Sequence, residues 1–119
     1  MGKVVTNGFI DGGLNAIDGS TQISVCSAEP TSIGNIETVS LADNVISGAD
    51  FTIADGDTSG RKVTIAQQSS VSIDTTETAT HVAIDDGTDY YVTICTSQAL
   101  TSGGTVTIPA WDIEIADPS

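Results

Sequence analysis

Pairs of large apolar residues separated by a single position recur along the chain: Ile23 and Val25, Phe51 and Ile53, Val63 and Ile65, Val71 and Ile73, Val82 and Ile84, Val92 and Ile94, Val106 and Ile108, Ile113 and Ile115. Polar or small residues stand between most partners. A side-chain period of two belongs to a strand, whose successive residues face opposite sides of a sheet. The rhythm therefore demands sheets with one buried face, and each pair is expected to point into the core. Turn-forming clusters separate the runs: Asp55-Gly56-Asp57, Gln67 to Ser70, Asp85-Asp86-Gly87, Ser102-Gly103-Gly104 and Pro109-Ala110. Short strands at this spacing predict an all-β, single-domain antiparallel β-sandwich or β-barrel.

Two stretches break the rhythm. Residues 1–20 carry apolar side chains without alternation and are expected to form a short N-terminal helical or extended arm on a β-domain spanning 21–119. Leu14 to Ile17 reads as a helical turn that Asp18-Gly19 ends. Val4, Val5, Phe9, Ile10, Leu14 and Ile17 are candidate interface residues; the other reading is that they cap the domain's own core. As an interface arm, residues 1–17 are expected to be removable without unfolding the β-domain. Residues 27–50, with Pro30, Gly34 and Gly48, read as a long, partly ordered excursion with one or two short strands, the kind of loop that is often functional.

Charge narrows the function. Sixteen acidic residues against three basic ones leave a formal net charge of −13, which repels phosphate backbones and anionic lipid surfaces. Neither nucleic acid nor a membrane is therefore an expected partner. The two cysteines, Cys26 and Cys95, lie among apolar neighbours in predicted strands and are expected to be free thiols. Nothing adjacent to them in sequence would activate a thiol. The one histidine, His81, sits in a predicted strand, where packing or hydrogen bonding is its ordinary role. Two distant cysteines and one histidine do not make a zinc set, and no glycine-rich phosphate loop or G-x-S-x-G elbow is present. Asp55-Gly56-Asp57-Thr58-Ser59-Gly60 opens like a calcium loop, but Ala66 stands where the closing Glu belongs and Arg61-Lys62 crowds the site. No catalytic residue, metal ligand or cofactor is assigned, and an enzyme is not expected.

Several stretches in a fixed order resemble a known group of proteins. Gly13-Leu14-Asn15-Ala16-Ile17 precedes a strand ending Val25-Cys26-Ser27-Ala28-Glu29-Pro30-Thr31. Gly60-Arg61-Lys62-Val63-Thr64 follows, then Thr78-Ala79-Thr80-His81-Val82-Ala83-Ile84. Last come Ser97 to Ile108 and the closing Trp111-Asp112-Ile113-Glu114-Ile115, with Trp111 where Phe or another apolar residue is expected. Together they resemble small, mostly uncharacterised tailed-phage and prophage proteins encoded among virion structural genes. That resemblance implies a virion role for a protein made in the bacterial host cytoplasm, and carries over no catalytic or binding residue. A capsid decoration or cement protein on the head shell is the leading expectation, bound to the major capsid protein or other virion proteins and forming a homo-oligomer, with a trimer among the options. The alternatives are a head–tail connector, a tail or fibre-associated protein, and a carbohydrate- or calcium-binding β-module.

Overall fold

The structure is a computed structural model that describes residues 7–57 and 59–115, with side chains from residue 11 onward except at 58. A helix, α1 (Asn7–Asp18), leads into β1 (Gln22–Cys26). A second helix, α2 (Ile33–Val39), runs directly into β2 (Ser40–Val45), and a 3₁₀ turn at Gly48–Asp50 precedes β3 (Phe51–Asp55). Then come β4 (Arg61–Ile65), β5 (Gln68–Ser72), β6 (Glu77–Asp85), β7 (Tyr90–Leu100), β8 (Thr105–Ile108) and β9 (Trp111–Ile115). All pairings are antiparallel. One sheet has four strands in the order β2-β1-β6-β7; a second orders β3-β4-β9; a third pairs β5 with β8.

The three sheets do not join into one hydrogen-bonded ring among the described residues, so the barrel alternative gives way to sandwich-like layers. Ile23, Val25, Val82 and Ile84 of the four-stranded sheet share one core with Phe51, Val63, Ile65 and Ile113 of the second sheet and Val71 and Ile108 of the third. The period-two pairs thus supply most of the core, as the strand rhythm requires. Helix α1 contributes Leu14, which has no exposed surface. Arg61 Nε donates to Asp11 at 2.9 Å and ties the helix to β4. α1 is therefore packed into the fold, as the core-capping reading of this segment requires.

Residues 27–50 are ordered rather than the partly ordered excursion expected. Ser32 caps α2 by accepting from the Asn35 amide at 3.1 Å, and the Asn35 side chain accepts in return from the Thr31 amide at 3.0 Å. That reciprocal cap resembles a capping box. Ile36 then drops onto the back of the four-stranded sheet, where it forms a second, smaller core with Cys26 and Ala83. Burying such a side chain contributes roughly 1.5–3 kcal/mol. The sheet is thus covered on both faces at β1, which explains why Ile23, Ser24, Val25 and Cys26 are buried without alternation.

Gln67 to Ser70, expected as a turn, is largely strand. β5 already begins at Gln68, and one extra residue bulges the strand before Val71, with Ser70 at φ 57°. Gln68 is buried and fully engaged: its amide donates to the Ala66 carbonyl and to Asp50, and its carbonyl accepts from Asn44.

Candidate functional site

Strand β7 is a feature of the molecule that the fold itself does not explain. Its start is set by the β6–β7 turn. Asp86 accepts from the amides of Thr88 at 2.8 Å and Asp89 at 2.7 Å, and Gly87 takes φ +92°. Those backbone donors hold the Asp86 carboxyl below its ordinary range. The turn fixes a register of Asp85 to Tyr90, Ile84 to Tyr91, Ala83 to Val92, Val82 to Thr93 and His81 to Ile94. Beyond Ile94 the register slips, and Cys95, Thr96 and Ser97 stand opposite Thr80 alone before pairing resumes at Ala79 to Gln98.

That register corrects the expectation for Val92 and Ile94. The residues of β7 that share the inner face are Tyr91 and Thr93, opposite the core residues Ile84 and Val82. Val92 points the other way, half-buried against the α2 core, and Ile94 is 80 % exposed. Tyr90 and Tyr91 are each 40 % exposed. β7 ends the order of its sheet, so among the described residues no strand pairs with its outer edge. From Tyr90 to Leu100 it has no charged residue and no proline. Exposed sheet edges template further strand pairing, and proteins ordinarily guard them with charge, proline or short length. Only the bulge after Ile94 guards this one.

Behind β7, an open groove separates it from the segment β8–Pro109–β9. Val82, Cys95, Ile108 and Pro109 line its middle. One lobe, about 200 Å³, runs toward Leu100 and Val106; the other, about 260 Å³, runs toward Thr93 and Trp111. The Trp111 and Tyr91 rings lie 6.1 Å apart, tilted by 32°. Trp111 Nε1 is buried and has no hydrogen-bond acceptor among the described residues.

The charged side chains of the protein are mostly carboxylates, 16 acidic residues against three basic ones. Arg61 is engaged by Asp11 and Asp55, and Lys62 by Asp57 and Asp112. These partners raise both cations above their ordinary values, the hydrogen bonds that Arg61 donates to Asp11 and Lys62 to Asp57 being the largest causes. The acids of the calcium-like loop therefore face the hairpin's own cations, and no group of three or more metal-binding side chains occurs among the described residues. Elsewhere, burial and then like charge from Asp74 and Glu37 raise the Asp43 carboxyl. Burial also raises Asp85, with Glu37 and Asp86 adding to it.

Both cysteines are free thiols. Burial, and secondarily Cys95, pushes the Cys26 thiol up to about 11, and burial raises Cys95 as well. Neither is poised as a nucleophile at neutral pH. His81 Nδ1 lies 2.8 Å from the Thr80 hydroxyl.

The N-terminal interface candidates divide. Val4 and Val5 lie outside the described residues, and Phe9 and Ile10 lie on α1 with side chains outside them. Leu14 is committed to the core and Ile17 is half-buried against it. The two described side chains of the six, Leu14 and Ile17, thus pack on the domain's own core. The β7 edge was missed because Val92-x-Ile94 has the same rhythm as the buried pairs. The signal available was its setting: a 22-residue run without charge from Tyr90 to Trp111, opened by two tyrosines, in a chain with 16 acids.

No helix among the described residues is long and apolar enough to cross a membrane. No family model, curated protein or solved structure matches the chain.

Proposed function

We propose that the chain is a structural protein that works by contact with other protein subunits. Within that class, we read it as a protein of a tailed-phage particle, a decoration or cement protein docked on the head shell. The observation that carries the contact role is β7: a long, uncharged, partly apolar strand edge beside an open groove, on a chain otherwise crowded with carboxylates. The phage assignment rests on the order of sequence motifs. Free thiols suit a protein made in a reducing cytoplasm, and a large net charge keeps a subunit soluble until it meets its site. The partners in this reading are the major capsid protein or other virion proteins, together with further copies of the chain itself.

Quantitative mass spectrometry of purified particles tests the assignment. A shell protein repeats with the shell's symmetry, on the order of hundreds of copies, whereas a connector ring holds about a dozen. Absence from the particle overturns the virion role, and a dozen copies moves the protein to the neck.

The Tyr91–Trp111 pair beside the groove favours one second reading, a carbohydrate-binding module, since aromatic faces bind sugar rings. Trp111 is the single tryptophan. A saturable change in its fluorescence with host-surface polysaccharide supports that reading, and an unchanged spectrum removes it.

A further inference from the structure

We infer that the occupant of the β7 edge is a second copy of this chain, paired antiparallel with β7 across a two-fold axis centred on Val92. The inference rests on the reading of β7 as the contact edge and names its partner.

The bulge sets the register. Tyr90–Ile94 is the longer of the two regularly paired stretches of β7, because three residues then face one across the hairpin before pairing resumes at Gln98–Leu100, and a bulge bends the strand and interrupts regular pairing. The midpoint of that segment is Val92. A two-fold interface must be self-complementary. Centred there, it sets Tyr90 opposite the partner copy's Ile94, Tyr91 opposite its Thr93, and Val92 opposite itself. Aromatic against β-branched is a favourable cross-strand pairing. Tyr90, Val92 and Ile94 share one face by the strand period, so the seam would cover Ile94, the most exposed apolar side chain of β7.

Charge favours this arrangement over other contacts between copies. Two chains of net charge −13 repel wherever carboxylates meet. In the centred register Asp89 of one copy lies opposite Cys95 of the other, and Asp86 opposite Gln98, so each acidic turn meets an uncharged bulge. The two Asp89 residues are then six residues apart along the strand, about 20 Å at ~3.4 Å per residue. That exceeds the Debye length of about 8 Å at physiological ionic strength. A parallel pairing would set acidic turn against acidic turn. Asp112, which borders the groove, is engaged by Thr64 at 2.7 Å and Lys62 at 3.5 Å.

The seam is short, so the dimer belongs to the smaller class of specific interfaces, below about 1,200 Å² of buried surface. It is expected to dissociate on dilution through the micromolar range. Its salt dependence is distinctive. An uncharged seam between like-charged molecules tightens as salt screens the repulsion, whereas a contact with a basic partner weakens.

Analytical ultracentrifugation of the whole chain across protein and salt concentration is the test. The wild type is expected to give a monomer–dimer equilibrium that tightens with salt. Ile94→Glu, at a position with little packing to lose, is expected to weaken it by roughly tenfold or more while circular dichroism stays unchanged. Val92→Cys in a Cys95→Ser background is expected to cross-link into a covalent dimer on mild oxidation, and Thr101→Cys in the same background is not. A wild type that stays monomeric, a trimer, a dimer that weakens with salt, or an Ile94→Glu chain that dimerises normally each overturns the inference. The two readings separate on purified particles. A monomeric wild type whose Ile94→Glu variant loses particle attachment removes the second copy and keeps β7 as a contact edge. A β7 dimer from a chain absent from particles keeps the dimer and removes the virion role.

Discussion

Leu14 is the residue at which the sequence left two outcomes open, docking surface or core cap, and its complete burial selects the core. Leu14→Ala should therefore lower unfolding free energy by about 2–5 kcal/mol, the usual cost of a buried leucine cavity. Denaturant titration checks this; a cost near zero would mean that α1 detaches freely in solution. Ser24 presents the opposite case. It is fully buried on β1, and its hydroxyl has no hydrogen-bond partner among the described residues. A buried hydroxyl without a partner is a cost, so removing it relieves desolvation. Ser24→Ala is expected to leave stability unchanged or raise it by up to about 1 kcal/mol. A clear loss in thermal midpoint would show that the hydroxyl has a partner in solution. Neither residue's role was legible locally, because a leucine on an amphipathic helix and a serine in a strand give no sign of which neighbour covers them.

Among the elements, the β3–β4 hairpin shows how a motif with two readings resolves. The Asp55-Gly56-Asp57 run has the acids and glycine of an ion loop. Its geometry is that of a turn closed by the Gly56 amide on the Gly60 carbonyl at 2.9 Å and braced by Arg61 and Lys62. A Cβ at Gly56 would collide with the Ser59 carbonyl and press on the Glu114 carboxylate of β9. Gly56→Ala is therefore expected to destabilise by about 1–3 kcal/mol, read as a lowered denaturation midpoint; a neutral result would mean that the turn re-forms at no cost. Helix α2 was the element least visible in advance. Seven residues holding a glycine and four β-branched side chains have weak helix propensity. The Ser32–Asn35 cap and the burial of Ile36 against Cys26 and Ala83 overcome that weakness, and only the second is large.

At the scale of the whole molecule, charge sets the response to pH. Asp43 and Asp85 are raised above the ordinary value of 3.8 by burial and neighbouring carboxylates. The folded state thus holds their protons more readily than the unfolded chain, so stability rises as pH falls from neutral through their folded-state pKa values. Asp86 acts in the opposite sense. Its lowered pKa contributes stability above 3.8 that is lost as pH falls further. Thermal melts should show a midpoint that increases on mild acidification and turns over near or below pH 4, about where free aspartates titrate. A midpoint that falls steadily from pH 7 downward would mean that favourable carboxylate contacts outweigh the repulsion. The same excess of negative charge makes β7 conspicuous, since an uncharged edge is where such a molecule can meet its own kind closely.

Taken alone, the order of residues determined the strand class, most strand positions, most of the main core and the acidic exterior. These follow from local quantities: a period of two, turn residues between runs, and a count of charges. The tertiary structure decided which of those runs faced inward. Val82 and Val92 have equivalent local settings, yet one is buried in the core and the other lies half-buried on the opposite face. The difference comes from hairpin register and from α2 covering the back of the sheet. It likewise decided that β7 lies at an edge, because an edge exists only in relation to the strands that could have covered it.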